Sequence, residues 1–163
     1  MLSGTIPTTL GKLSLLETLK LQSNQLDSGS ATTMPFLIAL TNCSHLKELN
    51  LRDNKLAGVL PLAIGKLSTN LSILKLANNL IEGNIPPHIG NLTSLTYLNL
   101  SGTLLNSSIS SLRNPINLER LYLVNNKLER NITMISYNTS VSWTLAETLS
   151  LERLLIPLHP LNN

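Results

Sequence analysis

The chain has 163 residues, a length that suits one domain, and a formal net charge of +3 with only 13% charged residues. It has no run of Lys or Arg and no basic patch interleaved with aromatic residues, so we expect no nucleic-acid partner. Its apolar runs are too short to span a membrane, and its first residues do not resemble a signal peptide. A single cysteine, Cys43, excludes an internal disulfide.

The pattern L-x-x-L-x-L-x-x-N-x-L recurs with a period of about 24 residues, which is typical of a leucine-rich repeat solenoid. Copies of it begin at Leu16, Leu46, Leu71, Leu95 and Leu118. Side chains alternate along a strand, so the second and third leucines point inward while their neighbours face solvent. Strands stacked as neighbours in one parallel sheet are predicted near residues 19–21, 49–51, 74–76, 98–100 and 121–123.

The polar position of this pattern is predicted to be buried. An asparagine amide there can satisfy backbone groups within and between coils. Thr103 takes the position in the fourth copy, and its hydroxyl offers a single donor. The predicted structural ladder consists of Asn24, Asn54, Asn79, Thr103 and Asn126.

A second sequence motif, L/I-x-G-x-x-P, begins at Leu2, Leu56 and Ile81. Its glycine permits a tight turn, and its proline suits a turn or an edge position. Each coil is therefore predicted to contain a strand, a turn, a short extended piece and a brief helical return. The predicted fold class is an α/β repeat, with a curved parallel sheet on the concave face and short helical or irregular returns on the convex side.

The regular period fails in two places. The first full repeat is stretched by residues 27–33, predicted as a loop, and a short helix is predicted over residues 35–40 because proline is tolerated in a first turn. From Met134 onward the period is lost. We therefore predict a solenoid over residues 1–133 and a divergent tail over residues 134–163. Two alternatives are open for the tail: a degenerate repeat containing Leu151, Leu154, Ile156 and Leu161, or a helix over residues 144–155.

Together, these motifs resemble the plant-specific class of leucine-rich repeats found in the ectodomains of plant receptor-like kinases, and the resemblance covers residues 2–132. Residues 35–44, after a serine-rich spacer, look like the immune-receptor-like subfamily expanded in grasses. The resemblance implies a signalling or defence module at the extracellular face of the plasma membrane. It also implies a peptide or protein ligand, a co-receptor ectodomain as a further partner, and no cofactor.

The catalytic half of that family is absent from this sequence, which has no G-x-G-x-x-G, H-R-D or D-F-G motif, so we expect no enzymatic activity. Two alternatives to the receptor interpretation are open. A secreted inhibitor of the polygalacturonase-inhibitor type uses the same repeat, but it would need cysteine caps and a signal peptide. A truncated, non-functional remnant would explain the lost period in the tail. The location of this chain itself stays open.

The solvent-facing strand positions form the candidate ligand-binding face, because the repeat pattern leaves them free. Aromatic and aliphatic residues make it apolar toward the C-terminal half, as is common in binding patches. The alternative is that these residues fill β-favouring positions and bind nothing. The predicted face consists of Lys20, Gln22, Asn50, Arg52, Ile73, Lys75, Tyr97, Asn99, Arg120, Tyr122 and Val124.

No catalytic or metal-ligating constellation is expected. The three histidines have no ligand spacing, and Glu17, Glu48 and Glu119 lie beside basic residues, which favours ion pairs over acid–base chemistry. The sequence is dense in N-x-S/T acceptors, which suits an origin in the secretory pathway. The candidate glycosylation sites are Asn42, Asn70, Asn91, Asn99, Asn106, Asn131 and Asn138.

Overall fold

A computed structural model describes residues 1–106, 118–128 and 142–144. In chain order the strands are β1 (Ser3–Thr5), β2 (Thr18–Lys20), β3 (Gln25–Asp27), β4 (Glu48–Asn50), β5 (Ala57–Val59), β6 (Ile73–Lys75), β7 (Leu80–Gly83), β8 (Tyr97–Asn99), β9 (Leu104–Leu105), β10 (Arg120–Tyr122) and β11 (Ser142–Thr144). The returns are the helix α1 (Pro35–Ala39) and 3₁₀ helices at Thr8–Lys12, Leu40–Asn42, Leu62–Lys66 and Pro87–Asn91.

The larger sheet takes one strand from each coil, in the order β2-β4-β6-β8-β10-β11. All its pairings are parallel, and equivalent repeat positions face each other, such as Leu49 and Leu74. The predicted parallel sheet of neighbouring coils is therefore confirmed. Each strand begins one residue earlier than predicted, because the ladder of hydrogen bonds includes the outward residue before the inward leucine. We call the solvent-facing side of this sheet the concave face.

The short extended pieces pair with one another as well, in two separate parallel sheets, β1-β3 and β5-β7-β9. The predicted loop at residues 27–33 separates them, although its first predicted residue, Asp27, belongs to the end of β3. It lies against β5, where the Val59 N–H donates to the Thr32 carbonyl at 3.0 Å and the Ala57 N–H donates to Ser28 Oγ at 3.1 Å. Gly58 has φ +93°, and a Cβ there would collide with the Thr32 carbonyl, so the loop requires glycine at this turn.

The predicted short helix is confirmed as α1, with Pro35 in its first turn. Its Phe36 and Leu37 side chains are buried, and the helix packs against the returns on either side. Pro7, Pro61 and Pro86 each stand directly before a 3₁₀ return. The inward aliphatic positions of the coils form a continuous core, whereas the first coil is only partly covered: Leu13 is 50% exposed and Leu15 is 75% exposed.

The tail contributes β11, which pairs in parallel with β10 and places Trp143 opposite Leu121. Neither sequence alternative for the tail placed a strand at Ser142–Thr144. A one-strand extension is physically reasonable because β10 would otherwise leave an unpaired edge. The other predictions for residues 134–163 lie outside the described residues.

Candidate functional site

The asparagine ladder holds the strands in register beneath the concave face. Asn79 is 4% exposed. Its Nδ2 donates to the carbonyls of Leu76 and Leu51, at 2.9 and 3.0 Å, so that one amide joins two coils. Its Oδ1 accepts the N–H of Leu56 at 3.0 Å. Asn54 and Asn126 make the same kinds of bond within and between their coils.

The ladder changes at its two irregular positions. Asn24 bonds the carbonyls of its own turn and accepts the Leu2 N–H, because no concave strand precedes its coil among the described residues. Thr103 is 3% exposed, and its hydroxyl contacts the Leu100 carbonyl at 3.0 Å and Asn126 Oδ1. These two contacts lie within its own coil and toward the next one, so Thr103 does not bond the preceding coil as the asparagines do.

Glu48 on β4 is the centre of an ion-pair cluster on the concave face. Its Oε2 lies 2.8 Å from Lys20 Nζ on one side, and its Oε1 lies 3.8 Å from Lys75 Nζ on the other. The Glu48 side chain is only 17% exposed, which reduces solvent screening of these pairs relative to an open surface. Glu17 pairs with Lys47 at 2.9 Å near the strand starts. These contacts fit the predicted ion pairing and offer no acid–base arrangement.

An aromatic arrangement continues this cluster toward the C-terminal half. Lys75 Nζ lies 5.1 Å from the ring centroid of Tyr97, within the range of a cation–π interaction. The Tyr97 ring in turn lies 5.2 Å from the Tyr122 ring, centroid to centroid, with the planes tilted by 36°. Lys20, Glu48, Lys75, Tyr97 and Tyr122 therefore form one chain of contacts across five neighbouring strands. Sequence reasoning missed the central role of Glu48, although its place on the strand between those of Lys20 and Lys75 is the signal that could have revealed it.

Two asparagines of the predicted face bond to the backbone. Asn99 Oδ1 accepts the Ser101 N–H at 3.0 Å, and Asn50 Oδ1 accepts the Arg52 N–H at 3.4 Å. Asn50 is only 7% exposed. The sequence-based assignment of Asn50 as a ligand-facing residue therefore needs correction, because very little of this residue is open to solvent. Asn99, which lies on β8, is half-buried.

The strand ends carry a polar ridge beside this face. Arg52 Nε donates to Asp53 Oδ2 at 2.8 Å, and Asn78 Nδ2 donates to Asp53 Oδ1 at 2.7 Å. The hydrogen bond from Asn78 is the main cause that holds the pKa of Asp53 below its ordinary value, and Arg52 adds to it. Asp53 and Asn78 both have positive φ, 57° and 52°, a conformation that asparagine and aspartate tolerate well.

The remaining positions of the predicted face stay accessible. Gln22, Arg52 and Arg120 are exposed, and Ile73, Tyr122 and Val124 are half-buried. The register places Arg120 directly beside Tyr97 and Tyr122 directly beside Asn99. The face thus brings an arginine, two tyrosines and aliphatic side chains together on β6, β8 and β10 and at their ends.

Within residues 1–106 and 118–128, no group of His, Cys, Asp and Glu side chains has the arrangement of a metal site. His45 is exposed and its Nδ1 lies 3.2 Å from the Ser14 carbonyl. Cys43 is buried, and burial raises the pKa of its thiol. No helix in the described part of the chain is long and apolar enough to cross a membrane.

The candidate glycosylation sites differ in accessibility. Asn42 and Asn91 end 3₁₀ returns on the convex side and are exposed, as are Asn70 and Asn106. The Asn70 side chain donates to the Ser44 carbonyl at 3.2 Å. The acceptor at Asn99, by contrast, lies half-buried within the concave face. The remaining two candidates, Asn131 and Asn138, lie outside the described residues.

Comparison with known proteins matches residues 44–105 to the leucine rich repeat family model. The LRR receptor-like serine/threonine-protein kinase EFR of Arabidopsis thaliana is 44% identical over 89 residues, covering 55% of this chain and 9% of EFR. The receptor kinase-like protein Xa21 of Oryza sativa subsp. japonica is 44% identical over 95 residues, covering 58% of this chain and 9% of Xa21. The chain therefore spans about a tenth of the length of these relatives.

Among solved structures, the plant peptide hormone receptor RGFR1 in complex with RGF2 has a TM-score of 0.70 to this chain at 33% identity. The similarity covers 77% of this chain and 19% of that receptor. The predicted leucine-rich repeat fold and the predicted resemblance to plant receptor-like kinases are both confirmed by these comparisons.

Proposed function

We propose that this chain, which has the leucine-rich repeat fold and plant receptor-like kinases as its relatives, is a non-enzymatic module that binds an extended peptide on its concave face. The observation that carries the proposal is the chain of contacts from Lys20 to Tyr122. It presents charged, aromatic and aliphatic groups in fixed positions on five parallel strands, whereas the inward positions carry only core leucines.

The dimensions of this face suit a short extended peptide. Five strands about 4.8 Å apart give a face on the order of 20 Å long. An extended peptide spans about 3.3–3.6 Å per residue, so roughly six residues cross the face. The ion pairs and the tyrosine contacts fix several of the side chains beforehand, which lowers the ordering cost of binding.

Similarity to kinases that carry such repeats supports a receptor role in signalling or defence over the two alternatives. RGFR1 is a plant peptide hormone receptor whose structure was solved in complex with RGF2. This similarity favours a peptide as the ligand class of the present chain as well. We extend the proposal to an extracellular location and to a co-receptor ectodomain as second partner. The exposed acceptors Asn42, Asn70, Asn91 and Asn106 would then carry glycans away from the concave strands.

A random peptide library displayed on phage, selected against the full chain, tests this function. Selected peptides should bind the native chain and lose binding when Lys75 and Tyr97 are both changed to alanine. The matched control is the double variant Lys66→Ala and His88→Ala on the convex returns, which should leave binding unchanged. Equal binding to both double variants, or no peptide enriched on the folded chain, would contradict the proposal.

A further inference from the structure

The cations of the concave face differ in how they are neutralised. Lys20 and Lys75 share the carboxylate of Glu48, and Arg52 is paired with Asp53 at the strand end. Arg120 on β10 is exposed and makes no ion pair with any residue of the described ranges. The C-terminal half of the face therefore carries a cation available to a ligand, whereas the N-terminal half is internally paired.

The surroundings of Arg120 add a second kind of contact. Tyr97 lies beside it in the strand register, and the Tyr97 and Tyr122 rings contact each other at 5.2 Å. Ile73 is half-buried beside Tyr97 in the strand register, and the half-buried Val124 follows Tyr122 two residues later in the chain. Lys75 already lies over the Tyr97 ring, whereas the half-buried Tyr122 ring can pack against another aromatic or aliphatic side chain.

We propose that Arg120, Tyr97 and Tyr122 form a subsite for an acidic peptide segment in which a side-chain carboxylate stands next to an aromatic or large aliphatic residue. This inference rests on the proposed peptide-binding function and specifies the ligand class. The guanidinium fork of Arg120 matches a carboxylate geometrically, and the ring pair receives the neighbouring apolar side chain.

Charge complementarity favours an acidic peptide segment over a basic one at this subsite. The concave columns and the adjoining strand end hold the cations of Lys20, Arg52, Lys75 and Arg120 against the carboxylates of Glu48 and Asp53, so a basic segment would meet net repulsion. Lys75 is already held between Glu48 and the Tyr97 ring. Arg120, by contrast, has no ion pair with another described residue, so a ligand carboxylate would displace none of the described ion pairs there.

The test uses fluorescently labelled pentapeptides with blocked termini and the full chain, with binding followed by fluorescence anisotropy. The probes are Gly-Asp-Tyr-Asp-Gly, its lysine counterpart Gly-Lys-Tyr-Lys-Gly, and Gly-Asp-Ala-Asp-Gly, which lacks the ring. We expect the first to bind more tightly than both others. Arg120→Gln should weaken it at least about tenfold, or about 1.4 kcal/mol. Arg120→Lys should retain part of the affinity, because it keeps the charge but loses the fork.

The matched control is Lys66→Gln, which removes the same charge from an exposed convex position and should leave affinity unchanged. Tyr122→Ala should abolish the preference for the tyrosine peptide over the alanine peptide. Each variant is first checked for an unchanged urea midpoint, and Arg120→Lys keeps the test valid if Arg120→Gln alters folding. Equal effects of Arg120→Gln and Lys66→Gln, or equal binding of the lysine peptide, would overturn the subsite. If library-derived peptides still depend on Lys75 and Tyr97, the broader peptide-binding function survives that failure.

Discussion

Replacing Asn79 with alanine should be more damaging than the same change at Asn54 or Thr103 in the buried ladder. The substitution removes four hydrogen bonds, yet not all their partners are stranded. The Leu51 carbonyl still accepts a hydrogen bond from the Asn54 side-chain amide. The N–H of Leu56 and the carbonyl of Leu76 have Asn79 as the partner that the structure shows for them. At about 1–3 kcal/mol for each stranded buried group, the loss is about 2–5 kcal/mol, allowing for some entry of water.

The neighbouring positions provide graded comparisons. Asn54→Ala leaves the Leu26 N–H without a hydrogen-bond partner, whereas the carbonyls of Leu21 and Leu51 still accept the amides of Asn24 and Asn79. We therefore expect a loss of about 1–3 kcal/mol in the free energy of unfolding. Thr103→Ala leaves neither of its partners unsatisfied. The Leu100 carbonyl still accepts the Asn126 amide, and Asn126 Oδ1 still accepts the Leu105 N–H. Its loss should stay below about 1.5 kcal/mol, the value of one ordinary hydrogen bond.

Urea denaturation followed by circular dichroism measures these losses as shifts in midpoint at constant slope. The matched control is Asn91→Ala, which makes the same chemical change at an exposed position and should be nearly neutral. The expected order of losses is Asn79, Asn54, Thr103 and then Asn91. A Thr103 variant as unstable as the Asn79 variant would refute the argument that stranded partners, rather than the number of bonds removed, determine the cost.

Gly102→Ala should destabilise the chain more than Gly4→Ala, by at least about 1 kcal/mol in urea denaturation. Both glycines have positive φ, but a Cβ at Gly102 would displace the Asn78 side chain, whereas nothing lies within 4 Å at Gly4. Asp53→Asn should lower the urea midpoint at neutral pH, with the difference closing in acid. The folded-state pKa of Asp53 is depressed, so its contribution is present above its ordinary pKa and lost as pH falls through the folded-state value. Leu15→Lys should reduce concentration-dependent association in light scattering without changing the midpoint, because Leu15 is 75% exposed at the open first coil; unchanged association would contradict this.

The repeat period by itself predicts the architecture of the chain. Leucines at fixed spacing must be buried in equivalent places, so consecutive coils have to stack in parallel and their outward residues have to form columns. The ladder residues followed from the same argument, since a buried asparagine needs backbone partners. The inserted loop and α1 followed from the lengthened repeat and from Pro35.

The contacts that distinguish one outward residue from another were decided by the tertiary structure. The sequence placed Lys20, Asn50 and Lys75 in one column as equals, but the two lysines reach Glu48, while Asn50 is buried and accepts the Arg52 N–H. Side-chain direction across strands depends on register and neighbouring bulk, which a repeat pattern does not encode. The splitting of the second sheet likewise needed the loop conformation, which brings Thr32 onto Val59.

The sequence by itself thus determined the solenoid, its concave strands and its buried ladder, because leucine burial at a fixed period allows few other arrangements. Only the tertiary structure decided that Glu48 pairs with Lys20 and Lys75 and that Arg120 stands beside the Tyr97–Tyr122 pair. The physical reason is that periodicity fixes which side of a strand a residue occupies, whereas pairing across strands depends on distances between flexible side chains in three dimensions.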